Sequence, residues 1–201
     1  MCTALALGCA GLSATANRAV ADDVLSGFYV STDAGLNLTS DLNAPDVSIS
    51  LRPGVRGDGS VGHAWRLPGD FSVATELEAG ILYNTLDKAK TPGQNIAAGG
   101  SLTDVPLLAH GILRWEFHPH WIAYAGMGAG GTFSSLRVNA GGSNYGLSGT
   151  KADFAWQAMT GIKYRFGPNE IGLGYEYFSF KRPGLQMVGN HTILASYTFC
   201  F

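Results

Sequence analysis

The sequence predicts an all-β fold, an eight-stranded antiparallel up-and-down transmembrane β-barrel, on three observations. Eight segments alternate apolar and polar residues with a period of two, the side-chain repeat of a strand. The connectors between them are tight and long by turns. One face of nearly every segment carries no charge.

The chain opens outside this pattern. "MCTALALGCAGLSATA" is uncharged and apolar, and Ala19 to Ala21, "AVA", precede Asp22 and Asp23. Residues 1–21 are therefore expected to be a signal peptide cut after Ala21, leaving 22–201 as the barrel. No basic residue precedes Arg18, so the true start is expected further upstream. Cleavage removes Cys2 and Cys9, keeps Cys200, and excludes an internal disulfide.

The strands follow in order. In Phe28 to Leu38, Phe28, Val30, Ala34, Leu36 and Leu38 share a face, opposite Ser31, Asp33 and Asn37. Val47 to Leu67 is read as the second strand. In Phe71 to Thr85 the set Phe71, Val73, Leu77, Ile81 and Tyr83 opposes Glu76, Glu78 and Asn84. In Val105 to Phe117, Val105, Leu107, Leu113, Trp115 and Phe117 oppose His110, Arg114 and Glu116. Trp121 to Phe133 is the fifth. Phe154 to Phe166 sets Phe154, Trp156, Ile162, Tyr164 and Phe166 against Gln157, Lys163 and Arg165. Ile171 to Phe180 and His191 to Phe201 complete the set.

Three connectors are tight: Pro68-Gly69-Asp70, His118-Pro119-His120 and Gly167-Pro168-Asn169. Proline presets φ, glycine permits positive φ, and Asx side chains cap bends. Four are longer and polar: Thr39 to Asp46, Asp87 to Leu102, Ser134 to Asp153 and Lys181 to Asn190. Strict alternation gathers the tight turns at one end and the long loops at the other, the layout of a membrane barrel with short periplasmic turns and four outer loops.

Composition decides which face points outward. Only 14% of residues are charged, too few to cover a wet exterior when about a quarter is usual. No apolar run approaches ~20 residues, so no transmembrane helix is available. A net charge of −2 excludes a strongly basic nucleic-acid surface. The charge-free face is therefore read as lipid-facing. Trp65, Phe71, Trp115, Phe117, Trp121, Tyr164 and Phe166 flank the tight turns as a periplasmic aromatic girdle. Closure follows, because an open edge in hydrocarbon leaves unpaired amides.

The opposite face then lines the lumen. Its acids are expected to be Asp33, Asp58, Glu76, Glu78, Asp104, Glu116 and Glu176, its bases Arg56, Arg66, Arg114, Lys163 and Arg165, with His110 among them. Near balance predicts a paired, hydrogen-bonded plug, since charges removed from water must be paired. Eight strands leave an interior that side chains fill.

The end of the chain, "HTILASYTFCF", places Tyr197, Phe199 and Phe201 at alternate positions. This resembles the assembly signal of bacterial outer-membrane barrels, although Ser196 and Leu194 depart from the family pattern. With the length, the eight strands, "VPLLAHGILRWEF" and "WIAYAGMGAGG", residues 27 to 201 resemble the small barrel family of opacity proteins and the OmpA and OmpW barrels. The resemblance implies a bacterial outer-membrane location, contact with outer-membrane lipid and lipopolysaccharide, recognition by the barrel-assembly machinery, and a monomer. It implies fold and location far more than activity; the function expected from the plugged interior and the four outer loops is a non-enzymatic structural or surface-interaction role. A narrow channel for small hydrophobic solutes, as in the OmpW group, is the alternative.

Other motifs point less far. "GMGAGG", Gly126 to Gly131, fits G-x-G-x-x-G, but a dinucleotide site needs a helix after the run, and a strand is expected there. Glu76 and Glu78 have a spacing of roughly 6.5–7 Å, usable by a glycosidase pair, yet the plug accounts for them. His118 and His120 flank a turn and lack further ligands. Asn37-Leu38-Thr39 and Asn190-His191-Thr192 match glycosylation sequons without meaning in this setting. Some barrels of this kind deacylate lipid A with His and Ser two apart on one strand face, but no H-x-S occurs, and Thr192 faces away from His191. Neither catalytic residue, cofactor nor metal is expected. The loop residues expected to meet an anionic surface are Lys88, Lys90, Arg137, Tyr145 and Lys151.

Overall fold

A computed structural model describes residues 26–44, 47–91, 94–97, 99–140, 143–148, 153–181 and 187–201. The expected leader lies outside them. Twelve strands occur among the described residues: β1 (Gly27–Thr39), β2 (Leu42–Ala44), β3 (Val47–Leu51), β4 (Gly54–Arg66), β5 (Phe71–Thr91), β6 (Gln94–Ala97), β7 (Gly99–His118), β8 (Trp121–Ala140), β9 (Ser143–Ser148), β10 (Asp153–Phe166), β11 (Asn169–Phe180) and β12 (Val188–Cys200).

Eight of them close a ring. The order β1-β4-β5-β7-β8-β10-β11-β12 is antiparallel throughout, and β12 returns to β1 with Ala34 opposite Ala195. Closure leaves no edge in the wall. The three tight turns each spend one residue at positive φ: Gly69 at 78°, His120 at 73° and Gly167 at 61°. Glycine adopts this freely; His120 is the exception, its ring packed 6.0 Å from Tyr164.

The four short strands correct the expected second strand and the expected loops. Val47 to Leu67 is not continuous. It breaks at Arg52-Pro53, where β3 leaves the wall to pair with the far end of β5, shifting register between Ser50 and Leu51. Asp87 to Leu102 and Ser134 to Asp153 are largely strand rather than loop. β6 folds back on β5, and β9 on β8. β5, β7 and β8 hold 21, 20 and 20 residues, whereas about 9–11 cross a bilayer, so each projects well past the wall.

Alternation sorts the side chains. Leu77, Leu107, Leu173 and Ile193 are 59–68% exposed on the outer surface, a display that lipid but not water stabilises. The buried faces turn inward. One buried cluster, with Leu82, Leu86, Leu102, Leu136, Phe178 and Phe180, fills the lumen toward the hairpin end. A second, with Tyr29, Ile112, Tyr124 and Met159, lies toward the tight turns. Pro106 sits within β7, and the ladder to β5 lapses opposite it, at Gly80 and Ile81, before resuming in register at Leu82.

Candidate functional site

The polar lumen is built by strand parity: side chains two apart on one strand share the inner face. Arg56 of β4 is its hub. Its Nε lies 2.7 Å from Asp58 Oδ2, one Nη 2.7 Å from Glu78 Oε1, and the other 2.8 Å from Glu176 Oε2. It also donates to Gln157 Oε1 at 2.8 Å, and its guanidinium sits 5.8 Å from the Phe178 ring. Burying an arginine among three carboxylates is tolerable because opposite charges surround it and its Nε and Nη2 donate to Asp58, Glu78 and Gln157, while Nη1 pairs with Glu176 by charge alone.

A second set lies toward the tight turns. Arg114 Nη2 meets Glu170 Oε1 at 2.5 Å; Arg165 reaches the same oxygen at 3.3 Å and Glu116 at 3.2 Å. Between the two sets, Tyr29 donates to Glu76 Oε2 at 2.9 Å, and Lys163 donates to Thr198 at 2.9 Å over the Tyr124 ring. A cavity of about 30 Å³, lined in part by Asp33, Glu76, Lys163 and Glu176, separates them, the size of a single water site.

The structure thus brings Asp33, Arg56, Asp58, Glu76, Glu78, His110, Arg114, Glu116, Lys163, Arg165 and Glu176 to one interior. One expectation needs correction, and one lumen residue was missed. Arg66 is exposed at a tight turn, because it is the last residue of β4. Glu170, which fell between the expected turn and the expected strand, is the second residue of β11 and is fully buried. Its even number matches Glu176, so extending the alternation by one residue would have found it. The expected near balance fails for the same reasons. Lumen acids among the described residues are Asp33, Asp58, Glu76, Glu78, Asp104, Glu116, Glu170 and Glu176, twice the number of bases. Nor is the plug polar alone, since leucine and phenylalanine seal it toward the hairpins.

Inward glycines are hollows for large neighbours. A Cβ on Gly80 would collide with the Asp58 carboxylate, one on Gly62 with the Tyr29 ring, and one on Gly128 with His110. Gly128, within "GMGAGG", is therefore the hollow that seats His110. The two sequons meet in another buried network: Asn37 Nδ2 donates to Asn84 at 2.8 Å, Thr39 to Asn190 at 2.6 Å, and Thr192 to Asn37 Oδ1 at 3.0 Å.

Outside, Trp65, Phe71, Trp115, Phe117, Trp121, Tyr164 and Phe166 are all exposed beside the tight turns, with Trp121 and Tyr164 edge to face at 5.1 Å. A further aromatic group, absent from the sequence reading, lies nearer the hairpins: Trp156, Tyr175, Tyr177 and His191, with Tyr175 Oη 2.6 Å from His191 Nδ1. Tyr197 and Phe201 are exposed and Phe199 half-buried. Phe199 and Phe201 pack edge to face at 5.1 Å, and the Phe201 amide donates to Phe28 O at 2.9 Å. At the hairpin end Lys88 and Arg137 are exposed. Lys90 lies on β5 and Tyr145 on β9, and both side chains, like all of Lys151, lie outside the described residues.

A closed eight-stranded ring with an apolar exterior and a packed polar lumen is a transmembrane barrel. Residues 2–201 match the outer membrane protein beta-barrel domain family, and the chain belongs to that family. Its place is accordingly the bacterial outer membrane. No curated protein matches. Among solved structures, Neisserial surface protein A is 19% identical, with 88% of this chain and 98% of that one covered at a TM-score of 0.56. Ail, the attachment invasion locus protein of Yersinia pestis, in complex with the heparin analogue sucrose octasulfate, is 12% identical over 86% and 99%, at 0.49. OprG of Pseudomonas aeruginosa is 10% identical over 88% and 96%, at 0.48. The first shares the fold.

Proposed function

We propose that this barrel is a non-enzymatic surface protein whose interactions lie at its hairpin end, the wall and filled lumen serving as a rigid support. The observation that carries this reading is the contrast between the two ends of the interior and the strands above it. Two charged sets and an apolar layer fill the lumen, which favours a support over a passage for small hydrophobic solutes. β5, β7 and β8 meanwhile continue past the wall as hairpins that present Lys88 and Arg137 to solvent. Basic side chains on a projecting ladder attract phosphate groups, so lipopolysaccharide is the partner proposed. Lys90 and Tyr145 belong to the same projecting strands, and Lys151, which lies outside the described residues, is included in the proposed surface on its charge alone. Tyr197, Phe199 and Phe201 are the segment offered to the barrel-assembly machinery, and the folded protein acts as a monomer.

The partners of His191 and of its neighbour Thr192 support a non-enzymatic role. Thr192 is buried and bonded to Asn37, and the hydroxyl that does reach His191 is the phenol of Tyr175.

The test replaces 88–99 and 137–152 with short Gly-Ser turns. Heat-modifiable gel mobility reports folding, and co-sedimentation with lipopolysaccharide reports association. The expected result is a folded barrel that no longer associates. A folded, shortened barrel that associates as well as the parent contradicts the reading.

A further inference from the structure

We propose that Glu76, Glu78 and His110 form a divalent transition-metal site in the barrel lumen, with zinc the best-matched ion. Glu76 and His110 are opposite one another on β5 and β7, and Glu78 follows two residues along the same inner face. Parity and register therefore aim all three side chains at one point.

The ligand atoms converge. His110 Nδ1 lies 4.0 Å from Glu76 Oε1 and 3.9 Å from Glu78 Oε2, and one ligand atom from each residue lies within 4.8 Å of the others. These separations are too long for hydrogen bonds. Ligand atoms around a tetrahedral zinc with bonds of about 2.0–2.2 Å stand about 3.3 Å apart, so these atoms must draw together by up to about 1.5 Å to hold an ion.

The second observation is His110 itself. Its side chain is fully buried, and neither ring nitrogen has a hydrogen-bond partner. An imidazole in that state forfeits its polar interactions unless something coordinates it. The collision that any Cβ on Gly128 would cause shows how the wall is hollowed to seat the ring.

The remaining glutamate oxygens are already committed elsewhere. Tyr29 holds Glu76 Oε2, and Arg56 holds Glu78 Oε1. Each partner orients its carboxylate and turns the other oxygen toward His110, although Glu78 Oε2 also accepts a long hydrogen bond of 3.4 Å from Gln157 Nε2; such outer-shell bonds orient the ligands of metal centres. The cavity of about 30 Å³ beside Glu76 and Glu78 has room for a water ligand. Twice as many acids as bases in the lumen give a cation a further electrostatic reason to enter. One imidazole with two carboxylates suits zinc, or manganese and iron in the divalent state, better than magnesium or calcium, which prefer oxygen ligands alone.

The experiment uses the purified chain folded in detergent micelles and stripped with a chelator. Zinc chloride is titrated by calorimetry, and the wild-type histidine ring signals are followed by NMR. The expected result is one zinc per chain, a shift of the His110 ring signals, and binding weakened at least about tenfold in His110→Asn. Glu76→Gln is expected to weaken it too and serves if His110→Asn does not fold. The double variant His118→Ala/His120→Ala, at the exposed turn, should bind as the parent does. No binding by the parent at millimolar zinc overturns the proposal. So does binding that leaves the His110 signals in place, or that disappears with His118 and His120.

Discussion

Arg56 on β4 donates to Gln157 on β10 at 2.8 Å, and in the closed ring those two strands stand opposite each other. The two side chains together therefore span the width of the barrel. The Arg56 fork ties β4, β5, β10 and β11 together through Asp58, Glu78, Gln157 and Glu176.

Truncating Arg56 should be the costliest single change in the lumen. Arg56→Ala leaves three buried carboxylates without their cation, and breaking a buried pair costs about 3–5 kcal/mol. Arg56→Lys should recover only part of this, because an ammonium cannot reproduce the planar fork. Urea unfolding titrations in lipid vesicles measure both. Equal stability of Arg56→Ala and the parent would contradict the hub.

On the outer face, Leu77 is 60% exposed midway along the wall portion of β5. Leu77→Arg should destabilise the barrel by about 2–4 kcal/mol, the cost of a cation near the bilayer midplane. Lys88→Glu, beyond the wall on the same strand, should stay within about 0.5 kcal/mol. The same titrations compare them, and similar costs would mean that inside and outside are reversed.

Glu170 serves two arginines, so Glu170→Gln should cost about 1.5–3 kcal/mol, the worth of hydrogen bonds to a charged group. A double-mutant cycle with Arg114→Met should show coupling of at least about 0.5 kcal/mol. An additive cycle would show that the 2.5 Å contact contributes nothing of its own.

The fold was legible in the sequence wherever one face of a strand meets lipid and the other the lumen. Phe71 to Tyr83 is the clearest case, since two unlike surroundings force strict alternation. Past the wall that contrast disappears, so the far ends of β5, β7 and β8 read as loops although they are ladders. Register between strands has no signature in a single sequence, which hid the meeting of Glu76, Glu78 and His110 until the pairing of β5 with β7 placed them together. Parity also says nothing of depth. Arg66 and Arg56 share a face, yet one ends in solvent and the other in the core. Leu82 and Phe178 share the parity of the lumen charges, and only their position toward the hairpins makes them a seal.

The central claim is that the lumen is filled, so that the barrel acts through its projecting end. Conductance of the folded protein in planar bilayers tests it most directly, alongside Arg114→Ala and Glu76→Gln. The account predicts no steady unit conductance for the parent, with current appearing, if at all, only in the variants that open the charged sets. A stable, reproducible conductance in the parent would contradict it and make the protein a channel.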